Sequence, residues 1–224
     1  MWKYSKSPAR HSGFTLVELA IVLVIIGLIL AAVLKGQEMI TNGKVKSVEN
    51  DLRGISAAYY AYQDRYKAIP GDDAAAVAHA GAGAVNGNGD GLITGAFTDT
   101  AAVVATESQA FWQHSRMAGF LTGSTAAATT FPSANSVGGI LGVQSGTTVV
   151  SVYGMTGNVV CSSNVPWKIA VAVDTQLDDG DSNTGSIRAG AAGVTAPAHA
   201  TSGAYGSAVA VPAIEGLHTL CMKI

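Results

Sequence analysis

The sequence has 224 residues, of which 48% are hydrophobic and only 12% are charged, and its formal net charge is −2. Acidic residues outnumber basic ones by 15 to 13, and three of the basic residues fall within the first ten positions. Nucleic acid is bound largely through Lys and Arg contacts to phosphate. The charge balance therefore argues against a nucleic-acid-binding protein.

The N-terminal region combines a short basic leader with a long apolar segment. Residues 1–13 carry Lys3, Lys6 and Arg10 and no acidic residue, which predicts that they stay in the cytoplasm. Residues 14–34, FTLVELAIVLVIIGLILAAVL, would span roughly 31 Å as a helix, which matches the hydrocarbon core of a bilayer. A secretory signal would have a shorter apolar core followed by its cleavage site. We therefore expect the apolar segment to cross the membrane and to stay in the mature protein.

The apolar segment contains one ionised side chain, that of Glu18, four residues after Phe14. On a helix these two positions lie on the same face, one turn apart. A carboxylate inside hydrocarbon is costly, so a charge that persists there usually has a partner. An array of subunits offers one, the N-terminal ammonium of an adjacent helix. The alternative is a simple signal anchor whose glutamate lies near the membrane surface.

The string GFTLVE at positions 13–18, after a basic leader, resembles the prepilin processing site of type IV pilins and type II secretion pseudopilins. The resemblance implies that a membrane-bound prepilin peptidase cuts after Gly13 and methylates the new amine of Phe14. It implies that Glu18 pairs with the amine of a neighbouring subunit as a filament grows. The implied partners are like pilin or pseudopilin subunits, an inner-membrane assembly platform and the membrane itself.

The resemblance also implies a location and leaves the type of subunit open. The protein would be a single-pass protein of the bacterial inner membrane, with a cytoplasmic leader and a periplasmic domain, and would then join a periplasmic or cell-surface filament. Major pilins commonly carry a proline where this chain has Lys35. This difference weakens the case for a major pilin and leaves a pseudopilin or a minor pilin as alternatives.

The N-terminal helix is predicted to continue beyond the membrane as an amphipathic half over residues 35–69. No proline occurs between Phe14 and Ile69, so nothing forces the helix to stop earlier. Large apolar residues recur at alternating spacings of three and four, which makes one continuous stripe. The stripe comprises Val45, Val48, Leu52, Ile55, Tyr59, Tyr62 and Tyr66. We expect it to pack on a globular domain formed by residues 70–224.

The predicted fold class is α+β, pilin-like, with the long N-terminal helix packed on a C-terminal antiparallel sheet. Thr106 and Gln109 have capping-box spacing and predict a helix that runs to Gly119. Strands are predicted at 147–153 from β-branched residues and at 167–173 from alternating residues, and a final strand that carries Cys221 is predicted at 217–224. The stretch 185–211 has few large side chains and is predicted to be a long loop.

The two cysteines, Cys161 and Cys221, can form only one intramolecular bridge. An oxidising compartment, which the topology implies, would allow it. Closing a loop of about 60 residues would stabilise the fold by roughly 4 kcal/mol in the chain-entropy model. The resemblance points the same way, because many pilins attach their C-terminal region to the sheet by such a bond. The alternative is a pair of buried thiols.

A possible calcium loop lies at NGNGDGLI, residues 86–93. Side-chain oxygens at Asn86, Asn88 and Asp90, followed by the Leu92 carbonyl, repeat the spacing of the first eight positions of an EF-hand loop. The closing glutamate is missing, so a carboxylate from elsewhere would have to complete the site. The candidates for that carboxylate are Asp72, Asp73, Asp99 and Glu107. The alternative is a turn, because Asn-Gly and Asp-Gly are also turn signals.

A second acidic cluster lies in DTQLDDGDSNTG, at Asp174, Asp178, Asp179 and Asp181. Some type II secretion pseudopilins bind calcium near their C-terminal strands, which makes this cluster a rival site. The cluster does not repeat the alternating pattern, so a solvated loop is the favoured interpretation.

These observations favour a structural subunit of a type IV pilus or type II secretion filament over an enzyme. The five histidines are scattered without metal-ligand spacing, and no nucleophile elbow or phosphate loop is present. The alternative is a binding module or enzyme held in the periplasm by a signal anchor.

Overall fold

The computed structural model describes residues 15–100, 104, 106–126, 132–147, 152–191 and 216–224. The chain divides into two compact units, Met1–Thr41 and Asn42–Ile224. The leader, Gly13 and Phe14 lie outside the described residues.

The described part of the first unit is helical. Helix α1 begins at Leu16 and ends at Tyr66, so it supplies residues to both units. Within the first unit its large apolar side chains are exposed, from Ile26 at 47% to Leu16 at 86%. The helix is unbroken at Lys35 and Gly36. The helix expected from 14 to 69 is therefore present over nearly its whole length.

In the second unit, α1 contributes the apolar stripe that the sequence predicted. Six of its seven members are buried, and Tyr66 is half-buried. The buried members are Val45, Val48, Leu52, Ile55, Tyr59 and Tyr62. Five of them belong to the hydrophobic core that also includes Leu141, Val160 and Leu220 of the sheet. The prediction that the amphipathic half packs on a C-terminal sheet is confirmed.

In the described part of the chain the sheet has five strands. They are β1 (Ser133–Ala134), β2 (Ile140–Gly146), β3 (Gly157–Pro166), β4 (Ile187–Ala191) and β5 (Leu217–Lys223). Their spatial order is β1-β2-β3-β5-β4, and every neighbouring pair is antiparallel. The C-terminal strand thus lies between β3 and β4. The fold class is α+β, as the sequence predicted.

Three further helices accompany the sheet in the described residues: α2 (Ala76–His79), α3 (Glu107–Met117) and α4 (Trp167–Leu177). Helix α3 confirms the prediction from the Thr106 signal. Thr106 occupies the N-cap position, but its hydroxyl makes no capping hydrogen bond. The helix is held instead by the burial of Phe111 and Trp112 in the core.

The strand predicted at 167–173 is wrong, because these residues form α4. Val171 and Val173 suggested a strand, yet the core-facing residues are Ile169, Ala170 and Val173. Spacings of one and three residues fit one face of a helix and not one face of a strand. Pro166 sits at the N-cap with φ −57° and ψ 138°. It ends β3 in an extended conformation from which the helix starts.

Other strand boundaries also differ from the prediction. Strand β4 lies within the stretch 185–211 that was predicted to be a loop. Its five residues, IRAGA, include three small residues and pair along their whole length with β5. Strands β2 and β3 were not predicted, because glycine and serine interrupt their apolar pattern. Most of the strand predicted at 147–153 lies outside the described residues. The final strand is confirmed at β5.

Candidate functional site

The first turn of α1 ties the Glu18 carboxylate back to Thr15. The Thr15 backbone N–H and the Thr15 hydroxyl both donate to Oε2 of Glu18, each across 2.8 Å. In return, the Glu18 N–H donates to the Thr15 hydroxyl oxygen across 3.2 Å. A threonine at the N-cap and a glutamate three residues later form a capping box, which satisfies N–H groups that a helix start would leave unpaired. Glu18 therefore lies against the start of its own helix.

The helix that begins with this turn is long and apolar enough to cross a membrane. None of its most apolar 18-residue window is buried within the chain. A helix that is apolar all round normally lies in lipid or among other helices. The exposed apolar surface of the first unit therefore needs a lipid or protein environment that a single chain in water does not provide.

The acidic loop at residues 86–94 folds around two carboxylates from outside the loop. Asp72 is buried and accepts three consecutive backbone N–H groups, those of Gly89, Asp90 and Gly91, at 2.6 to 3.1 Å. Burial raises the pKa of Asp72, as does the nearby Glu107 charge, although the three N–H groups act in the opposite direction. Asp72 was among the carboxylates expected to complete the loop.

Glu107 is the second outside carboxylate of this loop. Its two oxygens accept the N–H groups of Asn88 and Thr94, at 3.0 and 2.9 Å. Asp72, Asp90 and Glu107 each place an oxygen within 4.8 Å of the others. Three carboxylates this close offer the hard oxygen ligands that Ca²⁺ takes. Glu107 of α3 is thus one of the carboxylates expected from outside the loop to complete the site.

The side-chain oxygens of the loop that were predicted to bind calcium accept hydrogen bonds from backbone N–H groups. The side-chain oxygen of Asn86 accepts the Val77 N–H across 3.1 Å, in α2. The oxygens of Asn88 and Asp90 each accept the N–H two residues further on, at 2.9 Å. The contacts of Asn88 and Asp90 are those of the alternative, an Asn- and Gly-rich turn. Calcium binding stays a prediction, and the carboxylates that the structure brings together for it are those of Asp72, Asp90 and Glu107.

Glycine 87 is required in this loop because the chain passes close to Asp72. A Cβ at Gly87 would lie 2.4 Å from the backbone of Asp72, which is shorter than any side-chain contact can be. The close approach brings the following N–H groups to the Asp72 carboxylate. The loop geometry is therefore set by Gly87 and by the buried Asp72 carboxylate together.

The rival acidic cluster is partly built into the fold. Asp174 is buried at the end of α4, and it has one oxygen within 4.8 Å of oxygens of Asp178 and Asp179. Asp178 accepts the N–H groups of Ser186 and Ile187, which attaches the loop to the start of β4. The favoured interpretation of a solvated loop fits Asp179, whereas Asp174 belongs to the interior.

His114 links α3 to two loops. Its Nδ1 accepts the N–H of Gly71 across 2.9 Å, and its Nε2 donates to the Val85 carbonyl across 2.6 Å. Burial lowers the pKa of His114. This arrangement uses both ring nitrogens of a neutral imidazole, so His114 has a structural role.

Cys161 and Cys221 form a disulfide that joins directly paired residues of β3 and β5. Both cysteines are buried in a cluster with Phe97, Tyr153 and Val159. The bond fixes the C-terminal strand in the middle of the sheet.

Comparison with protein families gives a match at the N-terminus. The family model for the prokaryotic N-terminal methylation motif matches residues 8–34. The chain carries the hallmark motif of type IV pilins and pseudopilins. The chain matched none of the curated proteins and none of the solved structures with which it was compared.

The methylation motif confirms the resemblance noted from GFTLVE, and it covers Gly13, Phe14 and Glu18. It implies processing by prepilin peptidase and assembly with pilin-like subunits. It also suggests a structural protein. With the long apolar helix, it fits a membrane-anchored pilin.

One residue next to the motif's glutamate was missed at the sequence level. Thr15 was not singled out as a partner of Glu18, yet it bonds to Glu18 through its backbone and its side chain. The spacing Thr-x-x-Glu was the available signal, because it defines a capping box.

Proposed function

We propose that this protein is a structural subunit of a type IV pilus or a type II secretion filament. It would be a pilin, a minor pilin or a pseudopilin, cut after Gly13 and assembled through its N-terminal helix. The observation that carries the proposal is the methylation motif at residues 8–34, which includes the first part of the exposed apolar helix α1. The proposed location is the inner membrane, with the globular unit in the periplasm before the subunit enters the filament.

The exposed helix surface supports assembly through α1. The second unit has its own core, formed by one face of α1 and the sheet. Within residues 15–41, the described part of the first unit, no side chain belongs to that core. A filament in which the apolar helices of many copies pack together would bury this surface. The apolar surface would leave lipid for contact with like helices, which close packing favours.

The position of Glu18 supports a filament in which neighbouring subunits have a fixed arrangement. Its carboxylate lies at the start of the helix, where a cut after Gly13 would create the ammonium of Phe14. Pairing this ammonium with the Glu18 of a neighbouring copy would join opposite charges in a low-dielectric interior, where an unpaired charge is strongly unfavourable. The proposed role of Glu18 is therefore to set the position of each subunit relative to the next.

The test of this role is the substitution Glu18→Ala in the natural host. We expect the variant to be cut normally and to be absent from filaments sheared from the cells. Glu38→Ala is a matched control, because Glu38 is also an exposed glutamate of α1 and pairs with Lys35 of the same helix, across 2.7 Å. Normal filament content of Glu18→Ala would contradict the pairing role. Loss of both variants would indicate a general effect on the helix.

No specific observation in the described residues favours the alternative, a signal-anchored binding module or enzyme. Of the histidines that the structure describes, His114 uses both ring nitrogens in structural bonds. His79 is bonded to Asp73 across 2.7 Å, and Asp73 is also held by Tyr62. These contacts join α1, α2 and the segment between them. His79 and His114 are thus explained as parts of the fold.

A further inference from the structure

The acidic loop at residues 86–94 contains three dipeptides that can modify themselves. Its sequence NGNGDG places a glycine after each of Asn86, Asn88 and Asp90. In such a dipeptide the backbone nitrogen of the glycine can attack the side-chain carbonyl carbon of the residue before it, because glycine has no Cβ to obstruct the approach. Asparagine counts among the thermolabile residues of proteins. All three of these side chains are exposed to water.

The reaction at an Asn-Gly pair consumes only water. A bond forms between the glycine nitrogen and Cγ of the asparagine, the bond from Cγ to Nδ2 breaks, and the proton of the glycine N–H leaves with the side-chain amide as ammonia. Water then opens the resulting imide to aspartate or isoaspartate. The attack requires the glycine nitrogen to leave the plane of its peptide group. A hydrogen bond that fixes this N–H therefore opposes the reaction.

In the folded chain all three glycine nitrogens of the loop are held. The Gly89 N–H donates to Oδ1 of Asp72 across 2.6 Å, and the Gly91 N–H donates to Oδ2 of Asp72 across 2.7 Å. The Gly87 N–H donates to the backbone carbonyl of Asp73 across 2.9 Å. Two adjacent residues outside the loop thus supply an acceptor for each reactive nitrogen.

The same geometry explains why the loop contains such reactive pairs. Gly89 has φ +78°, a conformation that favours glycine. The Asn88 side chain accepts the Asp90 N–H across 2.9 Å and donates from Nδ2 to the Asp90 carboxylate across 3.1 Å. Deamidation of Asn88 would replace this donor by a second carboxylate, and isoaspartate would add a carbon to the backbone. Either product would disturb the contacts that form the loop.

We propose that Asn88 is a deamidation site that the Asp72 carboxylate protects in the folded chain. Asp72 is only 3% exposed, whereas the Asn88 side chain that it protects lies in water. When the Gly89 N–H loses its bond to Asp72, the Asn88–Gly89 pair closes its ring and releases ammonia. The Asp90–Gly91 pair closes in the same way with loss of water. This protection is a property of the fold and does not depend on the proposed function.

The first test follows deamidation in the full chain, solubilised in detergent and incubated at mildly alkaline pH. Tandem mass spectrometry of its proteolytic peptides measures the conversion at each asparagine. We expect Asn88 to deamidate about tenfold faster in Asp72→Asn than in wild type, the factor that corresponds to one hydrogen bond to a charged acceptor. An unchanged or slower rate at Asn88 would overturn the proposal, and a slower rate would indicate that the carboxylate assists the attack.

Two other Asn-Gly pairs of the chain serve as internal controls. Asn86–Gly87 lies in the same loop, but its nitrogen is held by the backbone carbonyl of Asp73. Asn42–Gly43 lies within α1, where the helix's own hydrogen bonds hold the nitrogen. Both pairs should keep their wild-type rates in Asp72→Asn. Equal acceleration at Asn86 and Asn88 would indicate a general loosening of the loop and would overturn the specific role of Asp72.

The matched control variant is Asp99→Asn. Oδ2 of Asp99 accepts the Ala96 N–H across 3.0 Å, so this variant also removes a carboxylate that holds a backbone N–H nearby. We expect it to leave the rate at Asn88 unchanged. The same acceleration in Asp99→Asn as in Asp72→Asn would contradict the proposal.

The second test needs no substitution and decides the question even if Asp72→Asn does not fold. The wild-type chain is incubated at one pH in native buffer and in denaturant. Deamidation at Asn88 should be about tenfold slower in the folded chain or slower still. Equal rates in both states would overturn the proposal, because the fold would then give no protection. Neither test measures filament content, so both outcomes are independent of the proposed function.

Discussion

Tyr62 donates its hydroxyl proton to the buried carboxylate of Asp73 across 2.7 Å. This bond joins the last turns of α1 to the segment that follows the helix. Burial alone would raise the pKa of Asp73, but hydrogen bonds from His79 and Tyr62 outweigh it and lower the pKa. The carboxylate is therefore charged in the folded protein and depends on its donors.

Replacement of Tyr62 by Phe should destabilise the globular unit. The variant keeps the ring in the core and removes one donor to a buried charge, which costs about 1.5–3 kcal/mol. Denaturant unfolding of the fragment Asn42–Ile224 measures the loss. Tyr60→Phe is the matched control, because Tyr60 is a neighbouring tyrosine that is 53% exposed. Its effect should stay within about 0.5 kcal/mol, and equal effects of both variants would contradict the role of the Asp73 bond.

The stability of the globular unit should fall as the pH drops below about 6.5, the ordinary pKa of histidine. Burial lowers the pKa of both His114 and His218 in the folded state. The unfolded chain then binds more protons than the folded one, so acidification favours unfolding until the pH passes the lowered folded pKa. The stabilising effect of these neutral histidines is fully present above the unfolded pKa.

The variant His114→Gln should show a shallower pH dependence between pH 7 and pH 5. It should also be less stable at pH 7 by about 1–3 kcal/mol, because Gly71 and Val85 lose buried partners. Unfolding free energies measured across this range give the slope. A slope equal to that of wild type would show that His114 does not carry this dependence.

Removal of the disulfide should cost about 4 kcal/mol, the value expected for a closed loop of this length. The bond spans 60 residues of sequence and joins paired residues of β3 and β5. The double variant Cys161→Ala with Cys221→Ala is compared with wild type by denaturant unfolding, with and without reductant. Reductant should destabilise wild type and leave the variant unchanged. An effect of reductant on both would assign it to something other than this bond.

Calcium should raise the melting temperature of the globular unit if the acidic loop binds it, since a ligand that binds only the folded state stabilises it. Asp90→Asn and Glu107→Gln should each remove the difference between melts with calcium and with chelator. Asp179→Asn tests the rival cluster and should keep the difference. Coincident melts of wild type in calcium and chelator would end the calcium prediction. Loss of the difference only in Asp179→Asn would move the site to the other loop.

The long helix and its buried stripe could be predicted from sequence because both follow from local periodicity. Val45 to Tyr62 keep helical spacing over five turns, and no proline interrupts them. The C-terminal strand was also predicted, and the structure has it at Leu217–Lys223. In these segments local preference and tertiary burial agree.

Helix α4 could not be predicted, because its local preference and its packing disagree. The β-branched residues of Trp167–Val173 favour a strand, but burial of Ile169, Ala170 and Val173 on one face makes a helix. The reverse holds for β4, whose small residues gain their strand conformation only from pairing with β5. Both elements are determined by contacts between residues far apart in sequence.

The candidate sites show the same division. The methylation motif is a contiguous string and was readable directly. The carboxylate cluster combines Asp72, Asp90 and Glu107 from three segments, so the sequence could offer Asp72 and Glu107 only as two of several candidates. The hydrogen bond from the Val77 N–H to Asn86 depends on the position of α2. No local sequence pattern indicates that position.

The mass and N-terminal sequence of the protein from its natural host test the central claim most directly. The protein purified from assembled filaments should begin at Phe14, with a methylated amine. The protein from cells that lack prepilin peptidase, and the variant Gly13→Ala, should both retain residues 1–13. A protein that begins at Met1 in a working assembly, or that is cut equally with and without the peptidase, would contradict the account.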